Sequence, residues 1–262
     1  MVRKQPRAAL THSYKWSSVF NKLAALACIT LCCTLIKAHA VVNVEKTRVV
    51  FNAGETVASL ALANSEKEPV LVQAWTDEGD PTAPPDEVQT PIIATPPVFK
   101  MQPGEVRNVK LVVSHNHDLP ADRESLYWLN IFQIPPNTQR TNDNEQRVLL
   151  PLKIRLKVFV RPQGIGRLTQ SDAEKLKFTL INQEKEKTLR IENPTPWHMS
   201  LSRVESGQMH TENRVVKPFS SETISLSADA ALSNNVNYTV INDDGFNWSL
   251  EQTLSTAYKG SE

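Results

Sequence analysis

Apolar and polar residues alternate in short runs along most of this chain, and a sustained three-to-four spacing is missing. The runs "NVEKTRVVF", "TVASLALAN", "PVLVQAW", "EVRNVKLVV", "SLYWLNIF" and "VLLPLKIRLKVFV" follow one another with Asn-Ala-Gly, Asn-Ser-Glu and Gln-Pro-Gly breaks between them. Strands at this spacing with turn chemistry in the gaps predict an antiparallel sandwich. After Arg161-Pro162-Gln163-Gly164 the character changes, and a second set begins with "KLKFTLI", "KTLRIEN", "HMSLSRV", "TISLSA", "VNYTVIN" and "FNWSLEQTL". Pro and Gly concentrated between two strand-rich regions mark a domain boundary. The pattern therefore predicts an all-β protein with one sandwich over 41–162 and a second over 163–262. The only helical signal is "SDAEKLKF", enough for a single turn.

The first forty residues differ. They carry Arg3, Lys4, Arg7, Lys15, Lys22 and Lys37, no acid, and an apolar run from Leu23 to Ile36 interrupted only by threonines. That run is short for a membrane span, and Ala38-x-Ala40 provides a small-residue cleavage site, so residues 1–40 read as a cleaved secretory signal. All three cysteines, Cys28, Cys32 and Cys33, fall inside it, which leaves the exported part to stand on packed cores alone. Taking the six leader cations from 29 Lys plus Arg leaves 23 against 28 Asp plus Glu, a net charge of −5. A mildly acidic chain without a basic stripe does not point to nucleic acid.

One strand departs from the pattern. In "VLLPLKIRLK" the residues Val148, Leu150, Leu152 and Ile154 fall on one face, and Leu149, Pro151, Lys153, Arg155 and Lys157 on the other. Pro151 has no N–H to give a ladder, so the strand is expected at a sheet edge or unpaired at that position. Four apolar residues on an edge are an aggregation hazard unless covered. They face either their own core or another protein.

Enzyme chemistry is hard to find. His115 and His117 alternate beside Asp118 in "SHNHDLP", a metal-binding spacing that lacks a third ligand nearby. There is no Gly-x-Ser-x-Gly and no phosphate-binding glycine loop. No cofactor is implied.

The stretch "LPADRESLYWLNIFQIPP", Leu119 to Pro136, sets Asp122, Arg123 and Glu124 at the mouth of a strand and stops that strand with two prolines. It resembles the signature of the periplasmic chaperones of bacterial chaperone-usher pilus assembly. "TRVVF", Gln73-Ala74-Trp75, Ala94-Thr95-Pro96-Pro97, Gln102-Pro103-Gly104, Arg161-Pro162, "IENPTP" and Ile241-Asn242-Asp243 occur in the order associated with that family, so the resemblance covers essentially all of the chain after the leader.

The resemblance implies two immunoglobulin-like β-sandwich domains in an L-shape with a cleft between them. It implies a non-enzymatic periplasmic protein, independent of ATP, that lends a strand to incomplete pilus or fimbrial subunits and passes them to an outer-membrane usher. Val148, Leu150, Leu152 and Ile154 become the donor row, whose main-chain pairing gives affinity while its side chains fill pockets. The same row offers the free protein a route to self-association. Arg48 and Lys157 become the anchor for the subunit's C-terminal carboxylate, and Glu124, Arg161 and Asp243 an interdomain ion network. Departures from the family are Val160 in place of an aromatic before Arg161-Pro162, no cysteine pair in the second domain, and Pro151 within the donor strand. The short polar loop over Asn137 to Arg147 resembles the family's short-loop branch. An exported pilus subunit or adhesin, and a hydrolase with a metal at His115 and His117, are the alternatives.

Overall fold

The computed structural model describes residues 42–114, 119–135, 151–182, 187–227 and 229–258. The leader, the His115–His117 pair, and Val148 and Leu150 of the donor row lie outside the described residues.

The described part of the first domain consists of β1 (Val42–Val44), β2 (Arg48–Phe51), β3 (Val57–Asn64), β4 (Val70–Asp77), β5 (Ile92–Thr95), β6 (Val98–Met101), β7 (Val106–Val113), β8 (Ser125–Ile134) and β9 (Leu152–Val160). They form a four-stranded sheet in the order β1-β3-β7-β5 and a five-stranded sheet in the order β2-β9-β8-β4-β6. The chain changes sheets between β1 and β2, so β1 pairs antiparallel with β3 while β2 pairs parallel with β9. It changes again between β5 and β6, where Pro96 and Pro97 supply no N–H to either ladder. Alternation then places one residue in two inside. Phe51, Leu60, Leu62, Val72, Leu111, Leu129, Ile131 and Val158 are fully buried between the sheets. Burial of such side chains is worth about 1.5–3 kcal/mol each, which lets a sandwich stand without disulfides.

The second domain opens with one helical turn, α1 (Gln170–Ala173), and continues through β10 (Lys177–Asn182), β11 (Lys187–Asn193), β12 (Met199–Ser206), β13 (Met209–Val216), β14 (Ser220–Leu226), β15 (Asn235–Ile241), β16 (Asn247–Thr253) and β17 (Ser255–Tyr258). Its sheets run β14-β11-β10-β17 and β13-β12-β15-β16. Only Leu254 separates β16 from β17, yet β16 pairs with β15 and β17 with β10. A second core gathers Phe178, Leu189, Ile191, Leu201, Val204, Val236, Tyr238 and Val240. Tyr238 keeps its hydroxyl satisfied by donating to the Ala173 carbonyl at 3.2 Å. The protein is thus all-β, with two immunoglobulin-like sandwiches and a core in each.

Besides β17, which lies beyond the last run ending at Leu254, three strands escape the sequence pattern. β5 and β6 are four residues each on either side of a proline pair, too short for alternation to register. β13 is a sheet edge whose "HTEN" stretch faces outward, and only Met209 and Val216 are buried. The helical turn also sits earlier than expected, because the Lys177 end of "SDAEKLKF" belongs to β10.

Candidate functional site

The site is set by register on the outer side of the five-stranded sheet. Val49, Phe51, Leu156 and Val158 point into the core, so Arg48 on β2 and Lys157 on β9 point out. Arg48 and Lys157 are direct partners across the parallel ladder. Trp128 on β8 lies opposite Lys157, and Asp77 on β4 lies opposite Trp128, which makes one row across four strands.

Among the described residues neither cation of the candidate anchor touches a carboxylate. Arg48 is buried, and its Nη1 donates to the Ile241 carbonyl of the second domain at 2.9 Å. Its Nε is buried with no hydrogen-bond partner among the described residues. The Lys157 ammonium stands 5.5 Å from the centroid of the Trp128 ring. Among the described residues no carboxylate forms an ion pair with either. Burial, then the neighbouring Arg48 charge, pushes Lys157 down to about 8 from an ordinary 10.5. Burial also lowers Arg48, against the more distant pull of Asp243 and Glu124. Two adjacent cations held partly out of water are a ready site for a carboxylate, which would meet them through short charge-assisted bonds. Beside them a cavity of about 450 Å3 is lined by Arg48, Asn52, Glu55, Arg167, Asp243 and Asp244, among others, with Lys157 outside the lining.

Along β9 the inward row leaves the core by degrees. Val158 is 0 % exposed, Leu156 5 % and Leu152 40 %, while Ile154 between them is partly buried against the core. β8 pairs with β9 along the whole of Leu152–Val160, but β2 pairs only over Lys157–Val160. Among the described strands none pairs with the β2 side of Leu152 to Leu156, and Pro151 precedes them, exposed. The edge expected from Pro151 is therefore confined to the first half of β9. The second half is an internal strand.

Glu124, Arg161 and Asp243 come together at the domain junction. Arg161 Nε donates to Glu124 Oε2 at 2.8 Å, and its two terminal nitrogens donate to the two oxygens of Asp243 at 2.8 and 2.7 Å. The side chain of Arg161 is 1 % exposed. Burial pulls its pKa down, but hydrogen bonding and charge from Asp243 and Glu124 outweigh that and raise it. A planar fork bridging two carboxylates uses guanidinium geometry that lysine could not supply.

The other two members of the trio lie in an exposed turn. Asp122 accepts two bonds from the Arg123 guanidinium, at 2.9 and 2.7 Å, and the same guanidinium lies 5.2 Å from the ring centroid of Phe219 in the second domain. Sequence reasoning missed His198, whose main-chain N–H reaches Glu124 Oε1 at 2.9 Å and whose Nδ1 lies 3.1 Å from the same oxygen. It also missed a tie on the outer sheet face, where Arg155 donates to Asp77 at 2.6 Å and to Asn130 at 3.1 Å and stacks over Trp128. The signal was available: Asp77, Asn130 and Arg155 each sit at an outward position of a strand whose other face is apolar.

Residues 41–166 match the model described as the pili and flagellar-assembly chaperone, PapD N-terminal domain, and residues 171–252 the pili assembly chaperone PapD, C-terminal domain. Chaperone protein FimB/FhaD of Bordetella pertussis is 33% identical over 231 residues, covering 85% of this chain and 92% of the relative. Chaperone protein FimC of Escherichia coli is 31% identical over 210 residues, 80% of this chain and 82% of that one. Among solved structures, the Pseudomonas aeruginosa CupB2 chaperone superposes with a TM-score of 0.67 at 33% identity, covering 81% of this chain and 100% of that chain. A chain from the Salmonella enterica complex of the SafA pilin with the SafB chaperone gives 0.70 at 26%, covering 84% and 98%. This chain belongs to the family of PapD-like pilus assembly chaperones and is not a pilus subunit.

Proposed function

We propose that the protein holds pilus subunits in the periplasm through the first half of β9 and hands them to an outer-membrane usher. The carrying observation is the juxtaposition of a main-chain edge on β9 that no described strand pairs over Leu152 to Leu156, an apolar row rising out of the core, and, where that edge ends, two cations without a carboxylate partner among the described residues, Lys157 on β9 and Arg48 beside it on β2. A subunit lacking its last strand would pair with the edge, seat Leu152 and Ile154 in its groove, and fix its register by placing its terminal carboxylate on the cations. By alternation in the sequence alone, Val148 and Leu150 would belong to the same donor row. Release follows by strand exchange with the next subunit, and no nucleotide or catalytic step enters.

Export by a cleaved signal over 1–40, with maturation at Val41, belongs to the same reading, as does a domain boundary at Pro162–Gln163. The boundary is supported by two separate cores and by family matches that end at 166 and resume at 171. The test is capture. Tagged protein purified from the periplasm of cells expressing a candidate subunit should retain that subunit, and Lys157→Met should lose it while remaining folded. Methionine keeps the stem against Trp128 and removes only the charge. Retention of subunit by the Lys157→Met protein would overturn the anchor.

A further inference from the structure

We infer that His198 is a positioning residue for the subunit anchor, acting through the domain junction; the inference rests on the anchor reading of Arg48. His198 is 8 % exposed, and its ring centroid lies 5.9 Å from that of Phe159. Glu124 is committed as an ionised acceptor, because Arg161 donates to its Oε2 at 2.8 Å. Its other oxygen can therefore only accept, so the imidazole Nδ1 at 3.1 Å carries the proton and donates it. The main-chain N–H of the same residue donates to the same oxygen at 2.9 Å. One residue of the second domain thus clamps one oxygen of a buried carboxylate of the first.

What that clamp holds is a relay of contacts ending at the anchor. Glu124 orients Arg161, Arg161 grips both oxygens of Asp243, and Asp243 stands two residues after Ile241, whose carbonyl accepts from Arg48 Nη1 at 2.9 Å. Without the ring N–H, Glu124 Oε1 keeps one donor instead of two, and the carboxylate is held less tightly in its buried site. The slack passes to Arg161, to the Asp243 turn and so to the hydrogen bond from Arg48 to Ile241.

Side-chain hydrogen exchange at arginine, followed by NMR on the free exported chain, reads both ends of the relay without any subunit. His198→Phe keeps an aromatic ring on Phe159 and the main-chain N–H but removes Nδ1. His198→Asn puts an amide N–H near the position of Nδ1 and so restores the donor. The expected result is exchange at Arg161 Nε–H and at the Arg48 Nη1 hydrogens about tenfold or more faster in His198→Phe, on the scale of one lost charge-assisted bond, and near wild type in His198→Asn. Unchanged exchange in His198→Phe, acceleration at Arg161 without acceleration at Arg48, or an Asn variant that exchanges as fast as the Phe variant each overturns the inference. If His198→Phe does not fold, slow exchange at both arginines in His198→Asn supports the donor role and fast exchange overturns it. Subunit capture by Lys157→Met would overturn the anchor reading while leaving these rates untouched, so the two fail separately.

Discussion

Lys157 carries its charge at a cost that pH can remove. Its pKa is about 8 in the folded chain, lowered by burial and then by Arg48, and 10.5 is its ordinary value. Between those values the unfolded chain binds more protons than the folded one, so this residue makes the free protein more stable as pH rises through that window. Below about pH 8 the cost is fully present, and above 10.5 it is gone. Urea unfolding of wild type beside Lys157→Met should show a deficit in wild type that shrinks from pH 8 to pH 10.5; a constant difference would mean that neither burial nor Arg48 holds Lys157 below its ordinary value. Binding has the opposite sign. A subunit carboxylate favours the ammonium, so affinity should fall as pH rises above 8, and the fall should disappear in Lys157→Met. Arg48 is the less clean probe, since removing it also cuts the bond to Ile241. At this scale the sequence offered residue types without their surroundings. Arg48 and Lys157 were legible only through family likeness, because nothing in "TRVVF" or "RLKVFV" says that the two are ladder partners, which depends on β2 running parallel to β9. His198 was invisible for a similar reason, since Glu124 is 74 residues away in the chain.

At the scale of an element, β9 is paired differently along its length. Its second half is clamped between β2 and β8, and its first half is paired on one side only. The row facing the core should therefore respond to charge in a graded way. Leu152 is 40 % exposed, so Leu152→Glu should leave the melting temperature nearly unchanged in the free chain yet abolish subunit capture, because an unpaired carboxylate in an apolar pocket costs several kcal/mol. Ile154 packs partly on the first core, so Ile154→Glu should lower the melting temperature measurably as well. Leu156 is 5 % exposed, and Leu156→Glu should compromise folding before any capture assay can be run. Thermal melts beside pull-downs on these variants check the order, and equal collapse of all three would return the whole row to the core. Most of β9 was legible because alternation survives wherever one face is buried. The β5–β6 pair and β13 were not, since two are interrupted by prolines and the third buries only its ends.

At the scale of the molecule, two sandwiches keep separate cores, and among the described residues the hydrogen bonds and ion pairs that join them stand beside only the Phe159–His198 ring pair and Arg123 over Phe219. Glu124 N–H donates to the Pro196 carbonyl at 2.9 Å, Arg48 to Ile241, and Arg161 to Asp243. The turn carrying Asp243 also approaches the first domain closely. Gly245 has φ +87°, and a Cβ there would stand 2.6 Å from Thr47 Oγ1. A junction of this kind fixes the angle between two bodies without merging their cores, so it can be weakened without unfolding either. Asp243→Asn tests that. Arg161 would keep its bond to Glu124, so no buried cation is stranded, and the bidentate grip at 2.7 and 2.8 Å would fall to one neutral acceptor. A loss of about 1.5–3 kcal/mol of coupling is expected, the range for hydrogen bonds to charged groups. Calorimetry should then separate the unfolding of the two domains further than in wild type, with the sum of the transition enthalpies nearly conserved because both cores are untouched. Subunit capture should weaken as well, since Ile241 no longer holds Arg48 in one place. If the variant instead unfolds in a single transition shifted as a whole, the domains share more than this junction; if only the second domain melts early while capture stays normal, Asp243 serves its own domain and not the site.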